Sequence, residues 1–124
     1  MKPDSEGADK ALAVIAANKK ILSYMGLAAK AGKIASGEFS TETSVKNGTA
    51  YMVIVAEDAS DNTKKMFANM CTYYEVPLYF FGKKAELGHA IGKEIRASLA
   101  FLDKGLADAT CKQLKIATNS GGSK

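Results

Sequence analysis

The chain has 124 residues, 47% of them apolar and 24% charged, with a formal net charge of +4. That is one domain's worth of sequence with enough apolar content for a core, which excludes a wholly disordered chain. The mild basicity permits a phosphate-rich partner without requiring one. No continuous apolar run approaches the roughly 20 residues that a membrane span needs. Cys71 and Cys111 stand in no Cys-x-x-Cys pair, so zinc or dithiol redox chemistry has no local signature and both read as small buried hydrophobes.

Residues 1–17 read as a partly flexible N-terminal arm. Pro3, Ser5 and Gly7 alternate there with Asp4, Glu6 and Asp9, and only Ala11 to Ala17 suggest the first turns of a helix. The acids and the short apolar stretch do not fit a signal peptide, so the cytoplasm is the expected compartment. From about Asn18 to Ala31 the apolar positions Ile21, Leu22, Met25, Ala28 and Ala29 step by 3 and 4, predicting an amphipathic helix that Gly32 stops. A short extended piece, Lys33 to Ser36, leads to Gly37. A second helix is expected over about 38–46, with Glu38 in its first turn and Asn47-Gly48 ending it.

Tyr51 to Val55 is apolar on both faces and rich in β-branched residues, the pattern of a central strand. Cap-capable residues follow, and then the clearest helix in the sequence. Its stripe of Thr63, Met66, Phe67, Met70, Cys71 and Tyr74 reads as core packing. Pro77 breaks the chain, Leu78 to Phe81 forms another strand, and Lys84 to Ile91 a short helix stopped by Gly92. Ala97 to Leu102 is the last strand, and Asp103 caps a final helix that buries Leu106, Ala109 and Leu114. Alternating strands and helices predict an α/β fold, a three-layer α/β/α sandwich on a small, about four-stranded mixed sheet. The domain is expected over 18–115, with a loose tail at 116–124.

Chemistry for an enzyme is not assembled by this sequence. His89 is the only histidine, and it falls within a helix where a partly exposed position is the ordinary reading. Gly26 to Lys33 fails the phosphate-loop pattern, because five residues separate the glycines and Ile34 stands where Ser or Thr belongs. Glu57 and Asp58 are adjacent carboxylates that read as capping groups. Neither a metal set nor a cofactor site is expected.

Binding is easier to argue. Lys33 stands close in sequence to the Gly37 turn, and Ser36, Ser40 and Thr41 place hydroxyls around it. A helix start offers free backbone N–H groups, and glycine lets another backbone approach closely. A second basic set, Lys93 and Arg96, lies in the segment entering the last strand. A solvated surface with a few lysines fits the same composition.

Three stretches carry a resemblance: Val53-Ile54-Val55-Ala56-Glu57-Asp58-Ala59, Tyr74-Glu75-Val76-Pro77, and Glu86-Leu87-Gly88-His89-Ala90-Ile91-Gly92. Their order and spacing, from about Lys19 to Lys112, are similar to the ribosomal-protein superfamily called L-seven-Ae, especially its short bacterial members. The resemblance implies an α/β/α fold and a non-enzymatic protein that binds structured RNA, typically a kink-turn, with ribosomal RNA as the expected partner and protein partners open. It implies an interface made of Lys33, Ser36, Gly37, Glu38, Phe39, Ser40 and Thr41 on one side. Glu57, Asp58, Lys93, Glu94, Ile95, Arg96 and Ala97 frame the other. Where the family carries Gly-x-Asn-Glu followed by Lys, this chain has Gly37-Glu38-Phe39-Ser40 and Thr43, so only the glycine is kept. Asn offers a donor and an acceptor to a base edge and Phe offers neither, whereas Phe39 can stack on an unpaired base.

Overall fold

Five helices and four strands alternate along the chain: α1 (Pro3–Lys30), β1 (Ile34–Ser36), α2 (Glu38–Lys46), β2 (Met52–Val55), α3 (Asp61–Tyr74), β3 (Leu78–Phe80), α4 (Lys84–Ala90), β4 (Ser98–Phe101) and α5 (Lys104–Asn119). The computed structural model describes the backbone of residues 3–119 and the side chains of 7–118. The sheet order is β1-β4-β2-β3, with β4 antiparallel to both neighbours and β2 parallel to β3. Helices α1 and α5 pack together on one face, joined by α4, and α2 and α3 cover the other. The expected three-layer arrangement and mixed sheet are therefore what the chain forms.

The central strands explain the core. Every residue of β2 and of β4 is buried, because both sheet faces are covered there. Phe67 and Cys71 of the α3 stripe are buried, while Met66 and Met70 are half-buried beside them. Tyr74, at the end of the stripe, is 41% exposed. Ser60 caps α3 by accepting the Thr63 N–H at 3.1 Å.

Helix α1 corrects the expectation for the N-terminus. It begins at Pro3 rather than near Asn18, so the segment expected as an arm is helical from residue 3 onward. Proline suits a first helical position, the nearby acids suit the dipole, and Ala11 to Ala17 propagate a helix well. Within Gly7–Lys30 an 18-residue window reaches a mean hydropathy of 1.2, long and apolar enough for a marginal membrane span by length and composition. Its inward residues Ala17, Ile21, Met25 and Ala28 are, however, buried in the protein core. At the other end, Gly32 (φ 72°) and the Lys33 N–H, which donates to the Ala28 carbonyl at 2.8 Å, close α1 in a Schellman turn. The tail expected over 116–124 is helical through Asn119, and its last five residues lie outside the described region.

Burial also sets the chemistry of the thiols. It pushes Cys71 from 9.0 up to about 11 and raises Cys111 and Tyr79 in the same direction. A pKa raised on folding stabilises the native state below the unfolded value, and that contribution is lost as pH climbs through the folded value. The urea midpoint is therefore expected to fall between about pH 9 and 11, Cys71 alone accounting for about 2 kcal/mol by pH 11. Urea titrations of Cys71→Ala at pH 8 and pH 10.5 check this. A drop across that interval as large as in the parent chain counts against Cys71 as its source.

Candidate nucleic-acid interface

Two chain segments meet at the end of the sheet where β1 and β2 finish and β4 begins. The first is the entrance to α2. Gly37 sits at φ 90° and ψ 162°, a region that residues with a Cβ avoid, and this lets β1 turn directly into the helix. No side chain caps α2, and its first carbonyl bond is Thr41 N–H to Gly37 O at 3.0 Å. The N–H groups of the first turn are thus available to a ligand. Nothing lies within 4 Å of where a Gly37 Cβ would stand, so the approach to this turn is open.

The second segment is the loop from Gly92 to Ala97. It is held against α4 by the Lys93 N–H, which donates to the Gly88 carbonyl at 2.8 Å, and by the Arg96 N–H, which donates to Lys84 O at 3.1 Å. Three contacts bind the two segments together. The Gly37 N–H donates to Ser98 O at 3.0 Å, Arg96 Nε donates to Ser36 Oγ at 3.1 Å, and the Ser98 and Thr41 hydroxyls meet at 3.3 Å inside the protein. Arg96 Nη1 also donates to the Ile95 carbonyl at 2.8 Å, which fixes the guanidinium plane. On the outer surface, Phe39 is 80% and Ile95 58% exposed. An aromatic ring, an aliphatic side chain and an oriented guanidinium thus share one ledge.

Several expected interface residues hold the ledge together instead of facing outward. Thr41 is fully buried, its carbonyl accepting the Ser44 hydroxyl and its own hydroxyl meeting Ser98. Ser36 is occupied by Arg96. Asp58 accepts the Lys84 N–H at 2.8 Å, tying the β2–α3 connection to the start of α4. The Ala97 carbonyl accepts the Ala56 N–H at 2.8 Å. Glu57 is exposed, but lines an open groove of about 520 Å³ with Val14, Asn18, Phe80 and Thr118. Glu38, Ser40, Lys93 and Glu94 are exposed around the ledge.

Lys33 is the clearest correction. Four positions before Gly37, it would be a neighbour if the intervening residues turned. They form β1, and Leu102 N–H donates to Lys33 O at the opposite end of that strand. Four extended residues span about 13 Å, which puts Lys33 away from the ledge. Lys84, passed over in the sequence because it opens a short helix, is bonded directly to both Asp58 and Arg96 through its backbone. With Glu38 and Glu94 beside Lys84, Lys93 and Arg96, the ledge carries mixed charge instead of a strong positive field.

A three-layer α/β/α domain with a composite ledge, built from a glycine-led helix entrance and a loop pinned to it, is the class of molecule these features define. The chain belongs to the Ribosomal protein L7Ae/L30e/S12e/Gadd45 family, whose pattern matches residues 19–112. It is 42% identical over 84 residues to the RNA-binding protein YlxQ of Bacillus subtilis (strain 168), covering 68% of this chain and 84% of that protein. Among solved structures it is similar to a protein with unknown function from Bacillus halodurans C, with TM-score 0.76, 34% identity, and coverage of 77% of this chain and 97% of the other. The Giardia lamblia 15.5kD RNA binding protein has the same fold, with TM-score 0.68 at 22% identity over 79% of this chain and 84% of that one.

Proposed function

We propose that this protein is a non-enzymatic RNA-binding module that docks structured RNA, kink-turn-like or related, on the ledge formed by the α2 entrance and the Gly92–Ala97 loop. Phe39 carries the reading: a ring 80% exposed on a rigid helix start, beside the exposed Ile95 and a guanidinium held in place by Ser36. A soluble domain has no folding reason to display that combination on a fixed framework, whereas unpaired bases offer faces for stacking and phosphates for the guanidinium. The family membership and the similarity to the RNA-binding protein YlxQ support the same reading. Ribosomal or ribosome-associated RNA in the cytoplasm is the partner it favours. The first-turn N–H groups of α2 supply phosphate or base-edge contacts without side-chain charge.

The mixed charge of the ledge makes the binding only moderately sensitive to salt. For a ledge with three cations, log K is expected to fall against log salt with a slope of about −2 to −3. Titrating fragments of structured ribosomal RNA at two salt concentrations measures it. Lys33→Glu is expected to change affinity less than about threefold, since its distance from the ledge exceeds the Debye length of about 8 Å. A slope near zero, or no binding to any structured fragment at low salt, refutes the reading. Protein partners that survive ribonuclease in a pull-down would then favour an interaction module on the same fold.

A further inference from the structure

The N-terminal half of α1 presents a second surface. Val14 and Asn18 line one groove together with Ala117 and Thr118, so the last turn of α5 lies beside the middle of α1. The eleven residues of α1 before Val14 therefore run past the end of α5, a length of about 16 Å. This overhang also precedes the family match, which starts at residue 19. Along this part of α1, from the overhang past Val14, Ala8, Leu12, Ile15 and Lys19 step by 4, 3 and 4 on one face, and all are exposed, Leu12 by 63% and Ile15 by 51%. The buried Ala17, Ile21, Met25 and Ala28 lie on the opposite side of the helix. The apolar face thus points directly away from the core and is open to a docking helix.

We propose that this face pairs antiparallel with the same face of a second copy of the chain, forming a weak symmetric dimer. The charge pattern selects both the occupant and the direction. With the two-fold axis near Val14, Leu12 and Ile15 of the two copies interdigitate, and Asp9 of each copy stands opposite Lys19 and Lys20 of the other. Within the chain, among the described residues, the ion pairs are Lys46–Glu42 and Lys104–Asp108, so these three charges have no intramolecular ion pair. A parallel pairing would set Asp9 against Asp9 and Lys19 against Lys19. The antiparallel one sets the Asp9 of each copy against lysines of the other and opposes the helix dipoles as well. Two large apolar residues per copy make a small interface, hence a concentration-dependent association.

Sedimentation equilibrium of the full chain, freed of RNA by nuclease and checked by absorbance ratio, tests this from about 1 to 300 µM. The average mass is expected to rise towards that of a dimer across this range. Leu12→Glu abolishes the rise while leaving the thermal midpoint of the monomer unchanged. Asp9→Lys weakens association about tenfold, since two surface pairs become repulsive. Combining Asp9→Lys with Lys19→Asp restores it. A chain that remains monomeric at 300 µM overturns the proposal, as does a dimer indifferent to both substitutions. So does a monomer that instead sediments with anionic lipid vesicles in a Leu12-dependent way. Because the readout is the mass of the nuclease-treated chain, these results stand apart from any measurement of RNA affinity.

Discussion

Gly88→Ala is expected to destabilise the protein by about 2 kcal/mol and to displace the loop that carries Ile95 and Arg96. The cause is steric and lies in the backbone. A Cβ at Gly88 would collide with the Glu94 carbonyl oxygen and stand 2.6 Å from its carbon and 2.8 Å from the Ile95 nitrogen. A flexible side chain can swing away from such a contact, whereas the loop backbone cannot move without losing the Lys93 N–H bond to Gly88 O and the Arg96 N–H bond to Lys84 O. Alanine's better helix propensity returns up to about 1 kcal/mol, too little to offset that strain. Gly105→Ala is the control. It is also in a helix, but its nearest neighbour would be the Asp103 carboxylate at 3.5 Å, an ordinary contact. That variant is expected to be neutral or slightly stabilised. Urea midpoints measure the two stabilities, and amide chemical shifts of residues 92–97 report the loop. If Gly88→Ala unfolds no more readily than Gly105→Ala and leaves those shifts in place, the tight packing of the loop on α4 is not what positions the ledge.

The Gly88 contact also shows what a sequence hides. Its place in a helical pattern before Gly92 was legible, but the backbone that would touch it comes from six residues later and is set by tertiary packing. The architecture was more accessible. The double-sided apolar run of Met52 to Val55 and the 3–4 stripe around Phe67 each admit one periodicity, and the structure forms a strand and a helix there. The N-terminus was harder. Gly7, Pro3 and three acids have the composition of an arm, yet the same residues are compatible with a first helical turn that the alanine-rich segment extends. At the ledge, proximity in sequence misled for Lys33, because extended residues carry a side chain away as fast as a turn brings it near. Thr41 misled for a related reason. On a helix only part of the first turn faces outward, and position 41 points inward to Ser98, which no local pattern reveals.

Phe39 and Arg96 should separate the two kinds of contact the ledge can make. Phe39→Ala removes a stacking face and no charge, so affinity for structured RNA is expected to fall by about 1–3 kcal/mol while the salt slope stays as in the parent chain. Stability should hardly change, since a side chain 80% exposed gives up almost no burial. Arg96→Met keeps much of the aliphatic stem but deletes the guanidinium. Two of its five N–H groups serve the Ser36 hydroxyl and the Ile95 carbonyl, and the remaining donors are open to a phosphate. Its loss is expected to weaken binding and to flatten the salt slope by about 1. The Ser36–Arg96 bond adds a further requirement. Ser36→Ala leaves every charge in place but frees the guanidinium to rotate, so it should reduce affinity by a fraction of the Arg96→Met effect without altering the slope. If Phe39→Ala binds RNA like the parent while Arg96→Met weakens it, the ledge works by charge alone and the exposed ring has another purpose. If neither substitution matters, RNA does not bind there.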